Sequence, residues 1–314
     1  MFGASPQPTA FGRSSATSGM SFSPDVMETP QASRRSEHLA RLIENEIVPR
    51  LMTSHRVGPV PPSLAHAVER VFTDDDVNAF VRAVRGQDDT SATAFIRELL
   101  DDGVSVEAVY LDLLAPTARR FGTMWDDDEC DFVEVTVALG RMQRLLRDLS
   151  QIFLANTGAA TPVGSVLLTC VPGEQHTLGI IMVGEFLLRD GWRVLVGAPW
   201  SESDMFATVG AEWFDVVGFS VGSALRIPDL KRDINRLKQA SRNPQLQIMV
   251  GGQVFVDQPE LAADVGATAI ASSAGEAPTV ARSLLATSRA HAPEAVKQEA
   301  HQSHGQFSEA LRRE

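Results

Sequence analysis

Cysteine is scarce in this chain of 314 residues, which contains two, Cys130 and Cys170, far apart and outside any C-x-x-C pair. Neither a disulfide framework nor a cysteine-ligated zinc site can be read from two thiols so placed. Because isolated cysteines suit a reducing compartment, we expect the protein to be cytoplasmic.

Long apolar runs and a signal sequence are also missing. No stretch approaches the roughly 18 consecutive apolar residues that mark a membrane-spanning helix. Residues 1–29 lack the basic start and the apolar run of a secretory signal peptide. The sequence therefore predicts neither a membrane span nor a signal peptide, and no membrane partner.

Positive charge is in deficit. The chain has 28 Lys and Arg residues against 40 Asp and Glu residues, which gives a formal net charge of −12. The basic pairs Arg34-Arg35 and Arg312-Arg313 are too few to form a surface that holds a DNA backbone. We therefore expect no direct DNA binding, although this charge does not exclude a protein partner that binds DNA.

The first 63 residues fall into two predicted segments. Residues 1–34 are rich in Ser, Pro, Gly and Thr without periodicity, which is typical of a disordered tail. Residues 35–63 predict a leading helix, capped by Ser36, and a linker that contains the helix-breaking run 57–62.

Apolar residues recur at helical spacing throughout residues 64–158. Ser105 begins the third of these helices, which runs towards Trp125 with a kink predicted at Pro116. The fourth helix is predicted from about residue 132 to residue 154. Helices joined by short connections predict a small four-helix bundle domain.

The period changes after the small residues at 159–164, and residues 162–286 alternate short apolar runs with helical segments. The apolar runs are 165–171, 192–198, 215–221, 246–252 and 267–273. Strands that alternate with helices predict a parallel sheet covered on both faces. The fold class is therefore α/β, a five-stranded flavodoxin-like (Rossmann-type) domain preceded by the bundle, with residues 287–314 as a polar tail.

The loop after the first strand carries the most informative residues. His176 follows the strand closely, and ligands of this architecture bind outside the carboxyl ends of the strands. A neutral imidazole is a common ligand of transition metals. Glu174 can accept the proton of the other ring nitrogen, which fixes the tautomer. Gly179 permits a close approach of backbone or ligand where the next helix begins.

These residues resemble the E/D-x-H-x-x-G signature of cobalamin-binding domains, which occur in methionine synthase, corrinoid shuttle proteins and cobalamin-dependent regulators. The resemblance implies that His176 ligates cobalt from below and that Glu174, Thr177 and Gly179 surround it. In this family the dimethylbenzimidazole group of the cofactor leaves cobalt when the cofactor binds. The family also has a serine that contacts this group. Here that residue is Ser220 or Ser223, because the S-x-L of the family is displaced.

The resemblance further implies a slot for the nucleotide tail of the cofactor. The family has a Gly-Gly after the fourth strand, at Gly251 and Gly252 in this sequence. Small residues at the end of the last strand, which include Ser273 and Gly275, fit the same slot.

A helical domain precedes the binding domain in this family and covers the upper face of the corrin, with a tryptophan over the upper ligand. Trp125 stands at that position, although a lone tryptophan also packs in cores. Cobalamin photoreceptors of the repressor type have a Glu-His pair about ten residues later, where this chain has Val135 and Thr136. The upper ligand is then water, an alkyl group, or a histidine from elsewhere, such as His55 or His66.

The string WDDDECDFVEVT, residues 125–136, resembles the PpaA/AerR group of purple photosynthetic bacteria. These are cobalamin-binding antirepressors, not enzymes, and their partner is the PpsR/CrtJ repressor of photosynthesis genes. The resemblance therefore implies a cobalamin-binding transcriptional regulator that acts through this partner, with light as a candidate input.

Three other interpretations stay open. The same two domains make up a corrinoid shuttle protein of a methyltransferase system. His176 is also a suitable ligand for haem iron, which would make the chain a haem-binding redox sensor. In the third, His176 only caps a helix or forms a hydrogen bond in an ordinary flavodoxin-like domain.

Overall fold

A computed structural model describes residues 70–86, 90–155, 162–172, 177–197 and 201–291 of the chain. The predicted N-terminal tail, leading helix and linker lie outside the described residues, as does most of the predicted C-terminal tail. No helix among the described residues is long and apolar enough to cross a membrane.

The N-terminal part of the described chain is helical throughout. Its helices are α1 Asp74–Arg85, α2 Thr90–Asp101, α3 Val106–Ala108, a π-helix Val109–Leu114, α4 Ala115–Asp126 and α5 Phe132–Phe153. The segments α3, π-helix and α4 are continuous, so they form the predicted third helix of the bundle. A π-helix widens the turn immediately before Pro116, whose ring would otherwise clash with the carbonyl one turn earlier.

Two of the bundle helices, α1 and α5, begin at capping boxes. Thr73 accepts a hydrogen bond from the Asp76 amide at the start of α1, and the Asp76 side chain bonds back to the Thr73 amide. Asp131 and Glu134 form the same reciprocal pair at the start of α5. Each box satisfies amides that have no partner within the helix, so it fixes the residue at which the helix starts.

The remaining elements form the α/β part. They are β1 Ser165–Cys170, α6 Leu178–Arg189, β2 Arg193–Gly197, α7 Glu202–Ala211, β3 Val216–Ser220, a 3₁₀ turn Ala224–Arg226, α8 Ile227–Ala240, β4 Gln247–Gly251, α9 Gln253–Asp257, α10 Leu261–Val265, β5 Ala269–Ala271 and α11 Ala277–His291. All five strands are parallel, in the order β2-β1-β3-β4-β5. This order is flavodoxin-like, so the predicted fold class is confirmed.

Buried side chains cover both faces of the sheet, as strand alternation requires. Leu167, Val217 and Ile248 belong to the apolar cluster on one face. Val166 and Met249 belong to the cluster on the other face. The last helix, α11, continues to residue 291, beyond the point at which composition alone suggested a polar tail.

Helix α6 joins the two parts of the fold. Leu178, Met182 and Phe186 belong to the core of the helical bundle, whereas Ile180 and Leu187 belong to a sheet cluster. Because one helix contributes to both cores, the bundle and the sheet pack as neighbours through α6.

Candidate functional site

The sheet changes direction between β1 and β3, because the chain adds β2 on one side of β1 and β3 on the other. At the carboxyl edge the register aligns four residues side by side. These are Cys170, Ser220, Gly251 and Ala271. Ligands of doubly wound sheets bind beyond this edge at the point of reversal. The row is therefore the floor of the candidate site.

Ser220 and Gly179 meet at this floor. A Cβ atom built on Gly179, in the first turn of α6, would lie 3.7 Å from Ser220 Oγ. Gly179 is exposed and Ser220 is half-buried at the end of β3. Two residues 41 positions apart in sequence thus border one space above the sheet.

Gly251 and Gly252 allow backbone to approach backbone. A Cβ on Gly251 would lie 2.9 Å from the carbonyl oxygen of Ala271. Gly252 has φ 106°, and a Cβ there would overlap the carbonyl of Val221. Any larger residue would push apart the ends of β3, β4 and β5, so the two glycines set the close spacing of these strand ends.

The other predicted small residues serve local turns or the bundle contact. Ser223 accepts a hydrogen bond from the Leu225 amide, at 3.3 Å, and so caps the 3₁₀ turn. Ser273 accepts one from the Glu276 amide, at 3.3 Å. A Cβ on Gly275 would lie 3.0 Å from Leu111 Cδ1 of the π-helix. Gly275 therefore lies against the helical bundle.

Glu174 and His176 lie outside the described residues. Pro172, just beyond β1, and Thr177, just before α6, are the described residues on either side of them. The Thr177 hydroxyl accepts a hydrogen bond from Gln143 Nε2 of α5, at 2.9 Å. The predicted ligand loop is thus flanked by a residue that is bonded to the bundle.

Helix α5 runs alongside α6 in the same direction. Gln143 contacts Thr177 at the start of α6, and further along the ring of Phe153 meets that of Phe186 edge-on, with centroids 5.0 Å apart. Since α6 starts at the carboxyl edge, the part of α5 that precedes Gln143 extends past that edge. Phe132 lies about 16 Å before Gln143 along the helix axis.

The first half of α5, which extends past the edge of the sheet, carries three exposed apolar side chains. Phe132, Val133 and Val137 are 62%, 65% and 45% exposed, respectively. Phe132 lies on the same helix face as Gln143, three turns earlier, whereas Val133 and Val137 lie further round the helix, away from the bundle core. Phe132 therefore extends the face that touches Thr177 beyond the floor, and together with Val133 and Val137 it forms an exposed apolar surface, the roof.

Trp125 adds to the roof and is not a core residue. It is 47% exposed at the end of α4, and its ring meets that of Phe132 edge-on, with centroids 6.3 Å apart. The alternative interpretation of the sequence, that Trp125 packs in the core, is therefore wrong. A cluster of exposed apolar side chains such as this one marks a surface that a ligand or partner covers.

The comparisons with known proteins agree with this two-part site. Models of the B12 binding domain match residues 164–302 and, in a second form, residues 77–149. The chain is 31% identical to the uncharacterized 20.5 kDa protein of the bchF-crtJ intergenic region of Rhodobacter capsulatus over 170 residues. This alignment covers 54% of this chain and 88% of that protein. The chain belongs to the B12-binding domain family.

A solved structure has the same fold. The monomethylamine corrinoid protein of Methanosarcina barkeri matches with a TM-score of 0.59 and 16% identity, over 67% of this chain and 98% of that one. At this identity the likeness concerns the fold alone. The floor lies within the first B12-binding match, and the roof lies within the second.

The donor set of the B12-binding chain suits a metal that arrives within a macrocycle. Among the described residues no group of three His, Cys, Asp or Glu side chains could hold a free metal ion. A corrin would bring most of the ligands of its cobalt with it, so the protein would need to supply few. His176, which lies outside the described residues, stays the predicted protein ligand.

Three polar side chains near the described roof are poorly suited to bind cobalt. Burial raises the pKa of the Cys130 thiol, so it stays protonated at neutral pH. The Thr136 hydroxyl donates to the carbonyl of Phe132 at 2.7 Å. Glu134 is paired with Arg85 at 2.8 Å, and this hydrogen bond lowers the pKa of its carboxyl. The upper side of the site is therefore apolar with acidic residues at its margin.

Several site residues were missed by sequence reasoning. Val133 and Val137 break the apolar periodicity of α5, since they fall on the side away from the buried Met142 and Leu146. Apolar residues outside the buried stripe could have predicted a second apolar face on this helix. Gln143 carried no comparable signal, because its partner is 34 residues away.

Proposed function

We propose that the chain binds cobalamin through His176 and acts as a non-enzymatic regulator, an antirepressor that binds a PpsR/CrtJ-type repressor of photosynthesis genes. The observation that carries cobalamin binding is the apolar half of α5, which extends past the carboxyl edge of the sheet and is exposed. A flat apolar cofactor held above Ser220 and Gly179 would cover that surface.

The regulatory part of the proposal rests on the relative and on charge. The gene of the Rhodobacter capsulatus relative lies between bchF and crtJ, as its name states. The net charge of −12 opposes direct contact with DNA. A regulator of this charge needs a protein partner to act on a promoter.

The proposed response to light depends on the roof. An alkyl group on bound cobalamin supplies a cobalt–carbon bond that visible light breaks. Trp125, Phe132 and Val133 would pack against such a group in the dark. After its loss they would regain exposure or move towards the floor, and a partner that distinguishes the two arrangements would change its affinity.

The first test is cobalt ligation. The protein labelled with the heavy isotope of nitrogen is reconstituted with cob(II)alamin at natural isotope abundance and examined by electron paramagnetic resonance. Ligation by a protein histidine gives a doublet splitting, whereas the cofactor's own benzimidazole gives a triplet. A doublet that disappears in His176→Ala is expected. Its absence from the native protein, or retention of haem alone, would overturn the proposal.

The second test addresses regulation. We expect the repressor to copurify with the reconstituted protein, and its DNA binding to change on illumination. The matched control is His176→Ala, which should abolish the difference between dark and light. Transfer of a methyl group to a cognate methyltransferase acceptor, without any effect on a repressor, would instead establish a corrinoid shuttle.

A further inference from the structure

Thr177 occupies the N-cap position of α6 but does not cap it. Its carbonyl accepts the hydrogen bond of the Ile181 amide, so the helix starts there. Its side chain makes no capping hydrogen bond to the helix, and its backbone has helical angles, φ −93° and ψ −13°. Threonine is a favoured N-cap residue because its oxygen accepts from amides of the first turn.

The Thr177 oxygen is directed to the bundle instead. Gln143 Nε2 donates to it at 2.9 Å, across the contact between α5 and α6, and both residues are half-buried. The side-chain oxygen of Thr177, which could cap its own helix, therefore accepts a hydrogen bond from the bundle. The next residue, Leu178, is buried in the bundle core. The chain is therefore held firmly on this side of the predicted ligand loop.

Helix α5 is a rigid support for this bond. Its start is fixed by the capping box of Asp131 and Glu134. Its middle is held by Tyr110, whose hydroxyl donates to the Leu146 carbonyl at 3.1 Å within the bundle core. Gln143 lies between these two anchors, so its amide group is presented from a fixed helix.

We propose that Gln143 is a positioning residue for cobalt ligation, which holds Thr177 so that the adjacent His176 meets the cobalt. The proposal rests on ligation by His176, the proposed function above. His176 competes for the lower cobalt position with the benzimidazole of the cofactor itself. Any freedom of the Thr177 backbone lowers the fraction of ligand loops that present the imidazole, and so favours the benzimidazole.

The test is the ratio of histidine-ligated to benzimidazole-ligated cob(II)alamin in isotope-labelled protein, measured from the doublet and triplet splittings after unbound cofactor has been removed. This ratio compares two forms of the same complex, so a general loss of stability or affinity does not change it. Gln143→Leu and Thr177→Val keep size and remove the hydrogen bond. Each is expected to lower the ratio about three- to tenfold, the usual effect of one lost hydrogen bond.

Three comparisons separate positioning from structure. Thr177→Ser retains the hydroxyl and should keep the native ratio. Gln151→Leu makes the same substitution at an exposed position of α5 and should also keep it. The double variant Gln143→Leu with Thr177→Val should be no worse than either single variant, because one bond is lost in all three.

The outcomes distinguish the two levels of the proposal. A native protein without the doublet would overturn ligation by His176 itself. A native doublet with an unchanged ratio in Gln143→Leu and Thr177→Val, or additive effects in the double variant, would overturn the role of Gln143 alone. A lower melting temperature with an unchanged ratio would leave Gln143 a structural residue.

Discussion

At the scale of single residues, glycines decide how closely the strand ends approach. Gly252 has a φ of 106°, and a side chain there would overlap the Val221 carbonyl. Gly122 lies within α4, and a Cβ built on it meets nothing within 4 Å. The same residue type thus has opposite consequences at the two positions.

Gly252→Ala is expected to destabilise the protein by at least about 2 kcal/mol, because it adds backbone strain and a steric clash. Gly122→Ala should instead stabilise it by roughly 0.5–1 kcal/mol, since alanine favours helix. Urea unfolding of the two variants checks both values. Equal effects would show that the tight approach at Gly252 does not exist.

At the scale of elements, the ends of α4 and α5 determine the shape of the roof. Asp131 caps α5 by accepting from the Glu134 amide at 2.8 Å. The acidic run from Asp126 to Glu129 ends α4 and forms the turn that follows. A carboxylate is unfavourable at a helix C-terminus and favourable at an N-terminus.

Asp131→Ala should lower the stability by about 1 kcal/mol and loosen the first turn of α5, because amides of that turn lose their acceptor. Amide hydrogen exchange of residues 132–136 should become faster, by the factor that corresponds to this loss of about 1 kcal/mol. Asp126→Ala is the matched change at the end of α4, and it should be neutral or slightly stabilising. Equal exchange in both variants would contradict the assigned cap.

The contact between α5 and α6 contains a carboxyl group that titrates. Burial raises the pKa of Glu185, although a hydrogen bond from Ser150 opposes the effect. Its Oε2 is buried and has no hydrogen-bond partner among the described residues. A carboxyl whose pKa is raised by folding binds more protons when folded, so stability is lost as pH rises through the folded pKa.

Glu185→Gln removes this titration and keeps the shape. Below the unfolded pKa of about 4.3 the variant and the native protein should be equally stable, and at neutral pH the variant should be more stable. Thermal unfolding from pH 4 to pH 8 measures the difference. Glu107→Gln, in the exposed ion pair with Arg189, should change little across this range. If the stability of the native protein increased relative to that of Glu185→Gln as pH rises, the raised pKa of Glu185 would be contradicted.

At the scale of the whole molecule, the roof is an apolar surface that the folded protein leaves open. Trp125 is 47% exposed, so it contributes less to the stability of the fold than a buried tryptophan would. Val71 is 83% exposed at the start of the described chain and is not one of the roof residues. Comparing the two separates apolar exposure in general from exposure within the site.

Trp125→Ala is expected to weaken cobalamin binding about tenfold or more, since the cofactor would lose a large apolar contact, while the melting temperature of the protein without cofactor changes little. Val71→Ala should leave cobalamin affinity unchanged. Equilibrium titration of each variant with hydroxocobalamin gives the affinities. An unchanged affinity in Trp125→Ala would remove the roof from the site.

The sequence by itself determined the elements and the fold class. The five apolar runs correspond to the five strands, because a parallel strand buried on both faces must be apolar along its length. Thr73 and Ser105 stand where caps are needed, so helix starts were also predictable. The E-x-H-x-x-G loop and the Gly-Gly pair indicated the family, since local backbone geometry and ligand chemistry determine which residues can stand at these positions.

The tertiary structure decided what those elements bring together. The bond between Gln143 and Thr177, the approach of Gly179 to Ser220 and the overhang of α5 all join residues that are distant in sequence. Local propensity carries no information on which face of α5 meets α6, because that depends on how two cores share one helix. The site is therefore a property of the packing of the bundle against the sheet.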